Sequence, residues 1–310
     1  MPYRAFVLIL LLLLLPASGG AQAPAAAQPA PPQSVCADDA HASFHACAVA
    51  AAKAFAPART RDGKPDLSGF WRKRGAAHES IEAHPKNPDD AGGTSAIVDP
   101  ADGITPVQPW AKAQYEEHVK KYMHQNAACF LSGVPGTMYM TGLFQFIQTP
   151  DHIVFLSEEA HPYRIVPFDN RPHVGKNLLM WQGDSRGRWD GNTLVIDTTN
   201  QKARAWLDQR GRFFTDEARV TERITPVDAN TLHYQVTLDD ANVYTRPFTM
   251  AFAFRRNAQA STELWEEACH EQNGESMSHF RAAGFGVFPG ISGRQARELK
   301  AAFEAREGRR

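Results

Sequence analysis

From Leu143 to Gln272 the chain reads almost entirely as short strands separated by turn residues. Leu143–Thr149, His152–Ser157 and Tyr163–Phe168 are divided by Pro150-Asp151 and closed by Asp169-Asn170. Asn177–Gly183 and Thr193–Thr198 flank a turn around Asp190-Gly191-Asn192, and Arg219–Ile224 and Thr231–Leu238 flank Asp228-Ala229-Asn230. Phe248–Arg255 and Glu263–Cys269 complete the series. In Thr231–Leu238, Leu232, Tyr234, Val236 and Leu238 face one way, against Thr231, His233, Gln235 and Thr237; Phe248–Arg255 alternates in the same manner. One-sided strands in meander order must close on themselves or cover a second sheet. The predicted fold is mainly β: an antiparallel meander closing into a barrel with peripheral helices, a β-sandwich being the alternative. About eight strands enclose room for one small ligand.

Three segments carry the helical period instead. Ala37–Phe55 is Ala-rich, has Asp38 and Asp39 at its start and is closed by Pro57. Pro109–Gln125 places Pro109 in its first turn and aligns Tyr115, Val119, Tyr122 and Met123 on one stripe, which predicts a lid over the barrel. Gly293–Glu307 follows Ser292 as cap and presents Ala296, Leu299 and Phe303 on one face.

At the start of the chain, Arg4 precedes an unbroken apolar run from Phe6 to Leu15, with the small residues Gly19 and Ala21 beyond it. That is the pattern of a secretory leader, and it is too short for the roughly 20 residues of a spanning helix. The expected organisation is a leader at 1–21, an Ala/Pro-rich linker at 22–34, a helical extension at 35–64, a barrel domain at 65–275 with a helical insertion at about 73–142, and a helical tail at 276–310. Periplasmic or secreted location follows, without stable membrane insertion once the leader is removed. The formal charge of −1 leaves no basic field for nucleic acid, so a small molecule is the expected partner.

Cys36, Cys47, Cys129 and Cys269 form an even set, which in an exported chain favours disulfides. On one continuous helix Cys36 and Cys47 would lie about 16 Å apart, beyond the roughly 7 Å limit of a bridge, so pairing them requires a helix break. The absence of CxxC and CxxCH in the sequence argues against a thioredoxin-like redox pair and covalent haem.

Gly69-Phe70-Trp71, on a first strand expected at Asp66–Trp71, resembles the G-x-W opening of lipocalin-like barrels, in which the tryptophan closes one end. Gly183–Asn200, read as GDSRGRWDGNTLVIDTTN, resembles a large family of exported bacterial proteins whose members carry GDSxGRWEGDTLVVDTTNF at this place. Pro65–Trp71, Cys129 with Gly133-Val134-Pro135, Val220–Ile224, Asp228–Leu232, Tyr244–Pro247 and Cys269–Asn273 match in the same order. The resemblance covers residues 65 to 275 and implies a Cys129–Cys269 bridge, but the family carries no general activity to transfer. Where relatives often have histidine after an Asp-x-x-Gly turn, this chain has Gly211-Arg-Phe-Phe-Thr215.

Candidate chemistry gathers in three places. His270, Glu271 and Asn273, expected at the end of the last strand, bring a base, an acid and an amide to the rim, where imidazole titrates near neutral pH. His173, Asp184, Arg171 and Arg186 form a second polar group on expected turns, with the arginines as forked donors to an oxygenated substrate. Glu222 with Arg246 reads either as an ion pair inside the barrel or as substrate-binding groups, and Asp197 as an inward carboxylate. His41 and His45 share a helical face but lack a carboxylate partner, so no metal site is assigned. No HExxH, GxSxG or phosphate-binding glycine loop occurs in the sequence, and no cofactor is implied. The sequence-level reading is a barrel that takes a small, largely apolar molecule, with cofactor-free acid–base catalysis of lyase or isomerase type. A non-catalytic carrier and a structural or interaction protein are the alternatives.

Overall fold

The computed structural model describes residues 34–309 apart from 76, 89 and 90; the expected leader, and the expected linker up to residue 33, lie outside the described residues. In chain order the elements are α1 (His41–Ala51), β1 (Gly69–Lys73), β2 (Ile97–Asp99), α2 (Pro109–Lys121) and β3 (Tyr122–Met123). Then follow β4 (Phe144–Gln148), β5 (His152–Ser157), β6 (Tyr163–Pro167), β7 (Asp184–Asp190), β8 (Thr193–Thr199) and β9 (Arg219–Asp228). The last are β10 (Thr231–Asp239), β11 (Phe248–Asn257), α3 (Cys269–Ala282), β12 (Gly286–Val287) and α4 (Gly293–Glu307).

Nine strands form one antiparallel path, β6-β5-β4-β1-β11-β10-β9-β8-β7, with β2 added beside β11. The meander closes into a nearly complete barrel because β1, first in sequence, lies between β4 and β11. Nine is odd. Strands alternating in direction around such a ring leave one neighbouring pair running the same way, and that pair is β6 and β7. They touch, and a Cβ on Gly187 would lie 2.7 Å from the Phe168 ring, yet no ladder joins them.

Two expected strands are corrected. Asn177–Gly183 lies in a loop, and the partner of β8 is Asp184–Asp190, joined to it through the two-residue turn Gly191-Asn192 with Gly191 at φ +58°. Its run of alternating polar residues reads as turn because only Ser185, Gly187 and Trp189 face the barrel. Glu263–Cys269 forms no strand; Cys269 opens α3, and β1 occupies the place beside β11.

The inner face is filled. Trp71, Phe144, Phe146, Tyr234, Phe252 and Phe254 are almost fully buried in one continuous core with Leu194, Ile196, Ile224 and Met250. Outside, α1 covers β9–β11 through Phe44 and Ala48 against Val227 and Ala253. The helix starts later than expected, at His41, and Asp38 instead lies near Arg74 and Arg255. Cys36 therefore precedes the helix and bridges to Cys47 with Cα atoms 5.8 Å apart, as the geometric condition required. Cys129 is bridged to Cys269, tying the insertion to α3.

The stripe expected on α2 is corrected in part. The helix ends at Lys121; Tyr122 is extended and, with Met123, pairs in parallel with Gly286–Val287. Of the four expected residues Met123 is buried and Tyr115 and Tyr122 pack half-buried against the core, whereas Val119 is 40% exposed and the helix itself buries Trp110, Ala111 and His118. His118 sits 4.7 Å from the Phe288 ring and 5.1 Å from Phe213, and Trp110 Nε1 donates to Asn242 O, so α2 rests on the β8–β9 and β10–β11 connections. α4 matches its expectation, with a Ser292–Gln295 capping box and Ala296, Leu299 and Phe303 against the core.

Candidate functional site

The polar group read as a turn cluster lies along the β6–β7 seam. After Asn170, at φ +53°, the chain turns back alongside β7. Arg186 donates from Nε to Arg171 O at 3.2 Å and from Nη2 to Pro172 O at 3.3 Å. The Asp184 carboxylate accepts from Val174 N–H at 3.0 Å, His173 Nδ1 at 2.9 Å and Arg186 Nη1 at 2.6 Å. Burial pushes the Asp184 carboxyl up, but these three donors outweigh it and hold the group below its ordinary value. The four residues thus clasp the return segment to β7 where a backbone ladder is missing, while the Arg171 side chain points out to Asp169. His173 keeps an exposed edge and an oriented Nδ1, the arrangement of a histidine–carboxylate pair.

His270 and Glu271 do not lie at a strand end. Both are exposed on the first turn of α3, and Asn273 turns back to donate to Cys269 Sγ at 3.2 Å. The segment before the helix is held to the β5–β6 turn, with Trp265 N–H donating to Glu158 and Glu267 N–H to His161 Nε2, and Cys269 opens the helix from its bridge to Cys129. Asp197 is corrected too: it faces outward, paired with Arg188 and accepting from Thr221 Oγ1 at 3.0 Å.

Glu222 is inside the barrel, fully buried, but its partner is Arg164 and not Arg246, which lies outside on Asp99. Arg164 forks onto both Glu222 oxygens at 2.6 and 2.9 Å, and Tyr234 OH donates to the same carboxylate at 2.9 Å. Arg164 was hidden in the sequence by its neighbours. Tyr163 and Ile165, two of the three apolar side chains of Tyr163–Val166, are exposed, and Arg164 with Val166 points in. Beside Arg164 a cavity of about 10 Å³ reaches Ser157, whose buried hydroxyl has no hydrogen-bond partner; it has room for a single water. The interior therefore holds aromatic side chains and an ion pair where the sequence reading expects an organic ligand.

A larger concavity lies outside the wall. A groove of about 700 Å³ runs between α2 and the segments around residues 80–85 and 209–212. Its floor is Arg212, buried, donating to Asp208 at 2.7 Å and paired with Glu82 at 2.6 Å. The Asp208-x-x-Gly211 turn, with Gly211 at φ +82°, places Arg212 here. A Cβ on Gly211 would come within 2.8 Å of Tyr115 O, so the close approach of the turn to α2 depends on glycine. Burial raises the Asp208 carboxyl, and Arg212 with the Ile81 N–H offsets part of that. Tyr115 lies with its ring centroid 5.4 Å from the Arg212 guanidinium carbon, and burial raises its phenol. His84, Lys120 and Arg210 line the sides with Val119, Ala83 and Pro85. The sequence signal that marks this place is the Asp208-x-x-Gly211 turn with Arg212 after it.

Among groups of three or more histidine, cysteine, aspartate or glutamate residues, none of the described residues is arranged to hold a metal ion. His41 turns its Nδ1 to Ala251 O while His45 meets His233 at 3.0 Å, so the two diverge. No helix of the described residues is long and apolar enough to cross a membrane. No protein-family model matches the chain, and no curated protein matches it.

Proposed function

We propose that the chain is an exported protein that binds a small organic molecule in the groove between α2 and the Asp208–Arg212 turn. The observation that carries this reading is the groove's construction: a buried guanidinium fixed by two carboxylates beneath a wall that is half apolar, as small-molecule sites are built. Export is supported by two disulfides, which persist in oxidising compartments. The ligand has an apolar body resting on Val119, Pro85 and Ala83 and a polar group directed at Tyr115 and His84. Acid–base chemistry at those two side chains is the catalytic form of the same proposal. Membership of the exported family suggested by the GDSxGRW motif is proposed with it.

Val119→Trp tests the site, because Val119 is an exposed lip residue and the indole would fill the groove without entering the core. Organic extracts of the parent and variant, purified from the same exported fraction, are compared by mass spectrometry. A small molecule retained by the parent and absent from the variant is the expected result. Equal retention by both, or no retention by either together with no thermal shift of the parent in a small-molecule panel, overturns the proposal.

A further inference from the structure

Three connections meet outside the core near the 3-10 turn Gly136–Tyr139, which closes one end of the barrel, and they bring Phe130, Trp181, Lys202 and Arg204 together. The Phe130 and Trp181 rings lie 5.1 Å apart. Lys202 Nζ is 5.5 Å from the Trp181 centroid, and the Arg204 guanidinium carbon is 5.5 Å from Phe130 and 5.9 Å from Trp181. The backbone fixes this arrangement. Lys202 N–H donates to Met180 O at 2.9 Å, Arg204 N–H to Lys202 O at 2.8 Å, and Ala203 between them is buried. From behind, Gly290 approaches so closely that a Cβ there would lie 3.0 Å from Arg204 Cγ.

Neither cation is neutralised. Arg164, Arg186 and Arg212 each face a carboxylate, and Arg256, which lies over Trp71, donates to the Ala229 and Ser68 carbonyls. Among the described residues, neither Lys202 nor Arg204 has an ion pair or a side-chain hydrogen bond, and Arg204 Nε is shut off from solvent with no acceptor. Ring faces hold a cation in place but do not accept its N–H groups as an oxygen does. Two rigidly presented cations with unused donors, bordered by aromatic rings, have the chemistry of an oxyanion receptor, and the guanidinium fork matches a carboxylate or phosphate.

We propose that Lys202 and Arg204, presented on Trp181 and Phe130, bind a ligand that carries an oxyanion group beside an aromatic or apolar body. Benzoate, inorganic phosphate and benzyl alcohol are the probes, titrated by calorimetry into the disulfide-bonded protein. Saturable benzoate binding, competition by phosphate and no binding of benzyl alcohol are expected. Arg204→Gln and Lys202→Gln each weaken benzoate at least tenfold at an unchanged melting temperature, whereas Val119→Trp leaves it unaltered, which separates this site from the groove. If Arg204→Gln melts early, Lys202→Gln alone decides. The proposal is overturned if neither anion binds saturably, if benzyl alcohol binds as well as benzoate, or if a folded glutamine variant binds like the parent.

Discussion

At one end of the barrel the indole N–H of Trp71 donates to Leu67 O, four residues earlier, and Arg256 lies 4.1 Å over the same ring. At the other end Val134 is held through both its N–H and its carbonyl by the side chain of Gln201, 67 residues later, each bond 2.7 Å long. The first closure is made by adjacent sequence and an aromatic plug; the second is assembled from an insertion, a disulfide and one amide. The polar groups follow this division. Arg164, Ser157 and the cavity between them lie against Thr137 and Met138, on the side that the insertion closes. A closure imported from elsewhere in the chain leaves room for charge in a way that a packed tryptophan does not.

Glu222→Ala is expected to break the comparison hardest. It leaves Arg164 buried without its counter-ion, and losing one partner of a buried pair costs about 3–5 kcal/mol. Arg164→Leu with Glu222→Leu recovers most of that loss in denaturant unfolding, and a single variant as stable as the parent would refute the interior pairing. Gln201→Ala comes next, at about 1–3 kcal/mol for each Val134 group left unsatisfied. Amide exchange should rise around residues 130–140 and stay unchanged around Trp71; uniform exchange across both ends would show that they are not separately held.

The smallest effect is with pH. Burial among aromatic rings lowers His118 from 6.5 to about 4, against a weak hydrogen bond to Gly211 O. A histidine whose folded pKa lies below its unfolded value stabilises the fold above the unfolded value. That contribution is lost as pH falls from about 6.5 towards 4, at roughly 1.4 kcal/mol per unit. His118→Phe should reduce the slope of melting temperature over this window, with His124 and His233, each lowered to about 3 by burial, carrying the remainder. A parallel decline in parent and variant would assign the acid sensitivity to other groups.

The β class, the barrel and the cap of α4 were legible because each rests on local periodicity or a neighbouring side chain. Asp184–Asp190 was not, since a strand whose inward face is Ser185, Gly187 and Trp189 carries no apolar alternation. The candidate residues were legible by type more than by place. Asp184 and His173 do meet, whereas His270 lies exposed on a helix and not at a strand end, and Glu222 takes its partner from a strand in which Tyr163 and Ile165 face outward. Arg212 and Arg204 gain their surroundings from segments far apart in the chain, which no single stretch of sequence reveals.

The parity of the barrel has a consequence for its assembly. Because β6 and β7 are never laddered, the sheet can form completely while still possessing two free edges, and an edge is a template for any other strand. The clasp of Asp184, Arg186 and His173 fastens the chain's own return segment to the β7 edge. A molecule that has not yet fastened it is fully paired yet open to capture by another copy, so solubility during refolding depends on one carboxylate that adds little to the finished core.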